Sequence, residues 1–192
     1  ALLQLMLIKW LWNTIVPNEK LNRFGWLACL LWVLSPIISW GYSSNLLENT
    51  MTLFTTLALT AIATYTSKGK YYLRLALVAA LFTFGAILCK GPVGLFVLAA
   101  PLVLIGTSEQ YTLRKALLFM LTYGGMLAAM AVCLWLLPEG QALAKDYLSE
   151  QLKPSMSIAD GNALTKRLIL LPNLVKALIP MLAIAVLAFF AQ

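Results

Sequence analysis

Histidine is absent from all 192 residues, and only 11% of them are charged. The first absence removes the commonest metal ligand and the side chain that most often moves protons near neutral pH. The three cysteines, Cys29, Cys89 and Cys133, lie within or at the edge of apolar runs, with no pair at ligand spacing. There a thiol behaves as a small hydrophobe, and a zinc or haem site built from this stretch alone is disfavoured. No cofactor is implied by these residues, and only a divalent metal with oxygen ligands stays open for the full protein. No glycine-rich phosphate loop with a following Lys-Ser/Thr occurs, which argues against ATP chemistry. Acidic residues are scarce, seven against fourteen basic ones, for a net charge of +7. The basic residues are scattered singly among apolar stretches and form no stripe, so nucleic acid is not the expected partner.

What the chain has instead is hydrophobic residues, 61% of the total, with a mean hydropathy of +0.86. Soluble domains carry about 25% charged residues, and this deficit marks an integral membrane protein. Crossing a bilayer takes about 20 apolar residues, so the expected fold is an all-α, polytopic transmembrane bundle of about seven spans or partial spans. Residues 1–192 make a single transmembrane domain. Both ends fall inside apolar runs without an initiator Met or charged leader, and the expectation is a fragment of a longer protein.

The expected spans are 1–16, 24–40, 51–65, 75–89, 93–105, 116–137 and 168 onward. Residues 138–167 form the only long polar stretch. Within it Leu143, Tyr147, Leu148 and Leu152 recur at helical spacing opposite Lys145, Asp146, Ser149, Glu150 and Lys153. That pattern predicts a helix lying in the interface, ended by Pro154 and followed by a loop over 155–165. Alternating the spans places Lys9, Lys20, Arg23, Lys68, Lys70, Arg74, Arg114 and Lys115 on one side, with only Glu19 and Glu109 as acids. Short basic loops face the cytoplasm, which directs Glu48, Lys90 and the 138–167 segment to the outer face together.

Lys90 stands out within Gly85-Ala-Ile-Leu-Cys-Lys-Gly-Pro-Val-Gly94, a lone cation between two apolar runs. An unpaired lysine at the bilayer centre costs roughly 2.5–3.5 kcal/mol, so Lys90 belongs at a boundary or in a polar cavity. Pro92 suits the first turn of a new helix, and the stretch reads as helix, polar elbow, helix. Two readings of the lysine fit: an ammonium that joins the helix-start amides in seating an anion, or one that snorkels to lipid headgroups.

Four pieces, taken in order, resemble the membrane core of the polyprenyl-phosphate-sugar-dependent glycosyltransferases, near the aminoarabinose lipid A transferases and the protein-mannosyltransferase-like bacterial enzymes. They are Asn45-Leu-Leu-Glu48-Asn-Thr-Met-Thr-Leu-Phe54, Leu88-Cys-Lys-Gly-Pro-Val-Gly94, Asp146-Tyr-Leu-Ser-Glu-Gln-Leu-Lys153 and Leu170-Leu-Pro172. The resemblance covers nearly the whole chain, and its most specific piece is Lys-Gly-Pro-Val-Gly after an apolar helix. It implies an inverting transfer from an undecaprenyl-phosphate-linked sugar to a lipid or protein acceptor, on the periplasmic face of a bacterial inner membrane. It also implies further helices, a periplasmic domain, and a catalytic Asp on an outer loop upstream of residue 1. Glu48 then matches a supporting carboxylate, Lys90 the lysine facing the lipid phosphate, and Lys153 a position where relatives carry Arg. The plainer readings are a carboxylate that favours a helix N-terminus for Glu48 and a solvated charge for Lys153. Two other classes compete: a transporter or lipid flippase, which would carry ionisable groups near the midplane and an internal repeat, and a non-catalytic assembly subunit.

Overall fold

The computed structural model describes residues 2–16, 19–35, 47–105, 111–147 and 149. Among these the chain is helical, with no strand. Apart from a single helical turn at Glu19–Asn22, the α-helices among the described residues outside the 91–103 arm are α1 (Leu2–Ile15), α2 (Gly25–Leu34), α3 (Leu47–Lys68), α4 (Tyr72–Lys90), α5 (Leu113–Trp135) and α6 (Pro138–Tyr147). Between α4 and α5 runs a 3-10 helix, Gly91–Ala99, that continues into one α-helical turn, Ala100–Val103. Two stretches, Tyr72–Val103 and Leu113–Trp135, are long and apolar enough to cross a membrane. The first is broken at Gly91, so the arm that could cross is α4 alone: 19 residues, about 28 Å, against a hydrocarbon core of about 30 Å.

Which residues are inside and which are outside follows the logic of lipid more than of water. On α4 the buried positions are Ala76, Ala79, Ala80, Thr83 and Ala86. The outward positions are large, with Leu77 50% and Leu81 55% exposed. Small residues on the inner face let helix backbones approach, which is how helices associate where lipid supplies no hydrophobic drive. A water-soluble helix would bury the leucines. On the facing side α3 presents Ala58, Ala61 and Ile62 to the same core, and α5 adds Ala116, Phe119, Tyr123 and Leu127.

Helix α3 carries many threonines, which would expose polar groups to the core unless each hydroxyl found a partner. They find it on their own helix: Thr52 donates to the Glu48 carbonyl, Thr56 to Thr52 (2.7 Å), Thr60 to Thr56 (2.7 Å) and Thr64 to Thr60 (2.7 Å). With the hydroxyls satisfied locally, Thr56 and Thr60 can be buried. Thr56 Oγ1 also accepts from Gln4 Nε2 at 2.6 Å, tying α1 to α3. Gln4 is buried, and its amide would have no such acceptor in Thr56→Val. That substitution is expected to destabilise the protein by about 1 kcal/mol, read as a lower melting temperature in detergent. Gln4→Leu together with Thr56→Val should recover part of the loss, and an equal or larger loss in the double variant would show that the bond is no tie.

Antiparallel α3 and α4 are joined by a tight connection in which Gly69 (φ 62°) and Tyr71 (φ 58°) both take left-handed backbone. The end carrying this turn also holds Ser67, whose hydroxyl donates to the Thr14 carbonyl at 2.7 Å. The Tyr65 ring stacks on Phe119 at 4.5 Å there and meets Tyr72 and Tyr111 edge-on. Thus the end of α1, the 67–74 connector and the start of α5 lie together. Opposite them lie the start of α3, the end of α4 and α6.

Among the described residues helices overlap the expected spans as far as Trp135, but only Tyr72–Val103 and Leu113–Trp135 are long and apolar enough to cross a membrane, and the fifth is not the α-helix expected. Pro101 cannot donate to the Val97 carbonyl, and the Ala100 N–H takes that carbonyl instead, a 3-10 bond. The continuation of the second span beyond residue 35 and the final span from 168 lie outside the described residues, as does the loop over 155–165.

Candidate functional site

Glu48 lies in the first turn of α3 and Lys90 in the last turn of α4. Each charge complements its own helix: a carboxylate suits the positive N-terminus and an ammonium the negative C-terminus. Because α3 and α4 run antiparallel, the two termini are neighbours. Lys90 Nζ donates to Glu48 Oε1 in a short ion pair that closes the open end of the hairpin. The hydrogen bond from that ammonium holds the Glu48 carboxyl below the usual carboxylate range, keeping it ionised at neutral pH. The side chains are 40% (Lys90) and 42% (Glu48) exposed, so the pair is open on one side.

The backbone immediately after Lys90 makes the elbow. Gly91 has φ 70° and ψ −155°, a region that only glycine enters readily. This torsion sends the following arm back along α4. A methyl group on Gly94 would come within 3.1 Å of the Ala86 and Ile87 backbone, so a bare Cα is what lets the two arms pack. Pro92 takes the first turn of the new helix, where its missing N–H matters least. Of the amides expected to help seat an anion, that of Gly91 donates to the Ile87 carbonyl and Pro92 offers none. The Lys90 ammonium is accordingly the main cationic group of the elbow.

Helix α6 reaches this same elbow. Its turn from α5 is so tight that a methyl on Gly140 would overlap the Leu134 carbonyl oxygen. That close passage aims the far end of α6 at Gly91, where Tyr147 lays its ring over the bare Cα. A side chain at residue 91 would collide with the ring. Of the expected apolar face, Tyr147 is thus half-buried against the elbow, whereas Leu143 is 56% exposed. The pairing of Tyr147 with Gly91 has no counterpart in the sequence reading, which had both residues but no reason to join them.

Two of the three residues singled out from sequence, Glu48 and Lys90, come together. Lys153, with the Glu150-to-Lys153 match, lies outside the described residues. Among the described residues no three His, Cys, Asp or Glu side chains converge as a metal site would need. No protein-family model, curated protein or solved structure matches the chain. The Glu48–Lys90 pair, the Gly91 elbow and the Tyr147 side chain beside it make up the candidate site.

Proposed function

We propose that this chain is the membrane core of a glycosyltransferase that moves a sugar from a polyprenyl-phosphate carrier to a lipid or protein acceptor. The proposal places it in a bacterial inner membrane, crossing several times, with the Glu48–Lys90 end on the periplasmic face. The observation that carries it is the half-exposed Glu48–Lys90 pair at a glycine elbow, a cation and a carboxylate side by side at one end of an apolar bundle.

The chemistry asks for both. The acceptor oxygen or nitrogen forms a bond to the anomeric carbon, the bond from that carbon to the phosphate oxygen breaks, and its electron pair leaves on the phosphate. An ammonium beside that oxygen stabilises the charge that develops there. A carboxylate next to it orients the acceptor O–H or N–H, while the proton itself passes to a base contributed from elsewhere in the full protein. An apolar bundle around the pair suits a donor whose tail is a polyprenyl chain.

The test is transfer by the full-length protein in proteoliposomes supplied with a polyprenyl-phosphate sugar. Glu48→Gln keeps the shape of the side chain and removes its charge. It is expected to lower the transfer rate roughly ten- to a hundredfold with membrane insertion unchanged. Undiminished transfer by Glu48→Gln would remove Glu48 from the site. Movement of intact donor across the bilayer without cleavage of the sugar–phosphate bond would favour a transporter.

A further inference from the structure

The roles proposed for Glu48 and Lys90 conflict in the structure as it stands, because each is occupied by the other. The ammonium that should meet a phosphate already carries a carboxylate, and the carboxylate that should meet an acceptor is held by the ammonium. A phosphate arriving at Lys90 brings a second anion to a site with one cation, and two anions at hydrogen-bond range repel. One must yield. Lys90 is fixed at its backbone by the Gly91 torsion and by the Tyr147 ring seated on it. Glu48 sits at the edge of its helix with a flexible side chain that is 42% exposed, and an ion pair so open to solvent is held weakly.

We propose that Glu48 is a place-holder for the donor phosphate: binding of the phosphate at Lys90 displaces the Glu48 carboxylate and so frees it to engage the acceptor. The inference rests on the glycosyltransferase reading and adds an order to it. Without donor the carboxylate is engaged, and the acceptor meets no free oxygen. With donor bound the carboxylate is released, and repulsion by the adjacent phosphate makes it a better acceptor of the O–H or N–H hydrogen bond. The pair thereby couples donor occupancy to acceptor binding without any movement of the helices, and acceptor is not engaged by an empty site.

The experiment measures the affinity of the full-length protein in detergent for a polyprenyl monophosphate, with unphosphorylated polyprenol as the neutral control. Glu48→Gln and Glu48→Ala are both expected to tighten monophosphate binding by roughly two- to fivefold, the weight of an exposed ion pair, and to leave polyprenol binding unchanged. In the wild type, adding monophosphate should shift a carboxylate band in the difference infrared spectrum, and the shift should vanish in Glu48→Gln. Unchanged or weaker monophosphate binding in both variants would overturn the exchange, since it would mean that Glu48 only positions the lysine. Equal tightening for polyprenol would overturn it too. If the wild type retains no monophosphate while polyprenol binds, the donor reading fails and the exchange falls with it; retention without tightening defeats the exchange alone.

Discussion

Replacing Lys90 by Ala in the full-length protein is expected to lower sugar transfer at least about a hundredfold, the loss typical when one donor to a developing oxyanion is removed. The effect on stability should be small by comparison. Glu48 loses its partner, but its side chain is 42% exposed and water replaces the ammonium at little cost. Gly91 keeps its torsion, because that is set by backbone and by Tyr147 and not by the lysine side chain. Transfer and melting temperature should therefore separate: a near-inactive protein that inserts and unfolds as the wild type does. Lys90→Arg retains the charge but spreads it over a planar fork on a different stem, and is expected to recover only part of the rate. Wild-type turnover by Lys90→Ala would rule out phosphate contact at this position. A matched loss of transfer and of folded protein would instead make the lysine a structural element.

That Glu48 and Lys90 share one end of the bundle was legible in the sequence, though not that they pair. The two residues are equidistant in sequence from Gly69, the turn between two apolar helices, so an antiparallel hairpin must bring them level. The elbow was legible for a similar reason, since a lysine followed by Gly-Pro interrupts an apolar run in few ways. The character of the arm beyond it was not. The 3-10 bond that ends it depends on which carbonyl Pro101 leaves to its neighbour, a competition that hydrophobic periodicity does not register. Nor could the seat of Tyr147 be foreseen. It requires Gly140 to let α6 fold closely against the end of α5, and Gly91 to leave its Cα bare; the two glycines are far apart and each has an ordinary local reading. Long-range contacts of this sort come from how helices cross, which a single sequence expresses only through such small residues.

The same contact gives the second large effect, at Gly91. In Gly91→Ala the new methyl group meets two separate obstacles. At φ 70° and ψ −155° a residue with a Cβ is strained by about 1–3 kcal/mol, whatever surrounds it. The methyl would also overlap the phenol end of the Tyr147 side chain, so the ring must swing aside, α6 lift away, or the elbow shift and take Lys90 with it. Relief of the strained torsion displaces the elbow in any case and with it the Lys90–Glu48 geometry, and transfer is expected to fall by more than tenfold, since small displacements of reacting groups have effects of that order. The two obstacles can be told apart. Tyr147→Ala in the same protein removes the collision and leaves the torsion, so Gly91→Ala with Tyr147→Ala should recover part of the stability lost in Gly91→Ala alone and none of the torsional part. Tyr147→Ala by itself should cost less than Gly91→Ala, because it deletes a contact without adding strain. Melting curves of the three proteins in detergent and their transfer rates measure both quantities. Additive losses would show that the ring does not rest on residue 91. A Gly91→Ala protein that melts and transfers as the wild type does would show that the chain does not turn at this glycine, and the site would have to be rebuilt from a straight helix through Lys90.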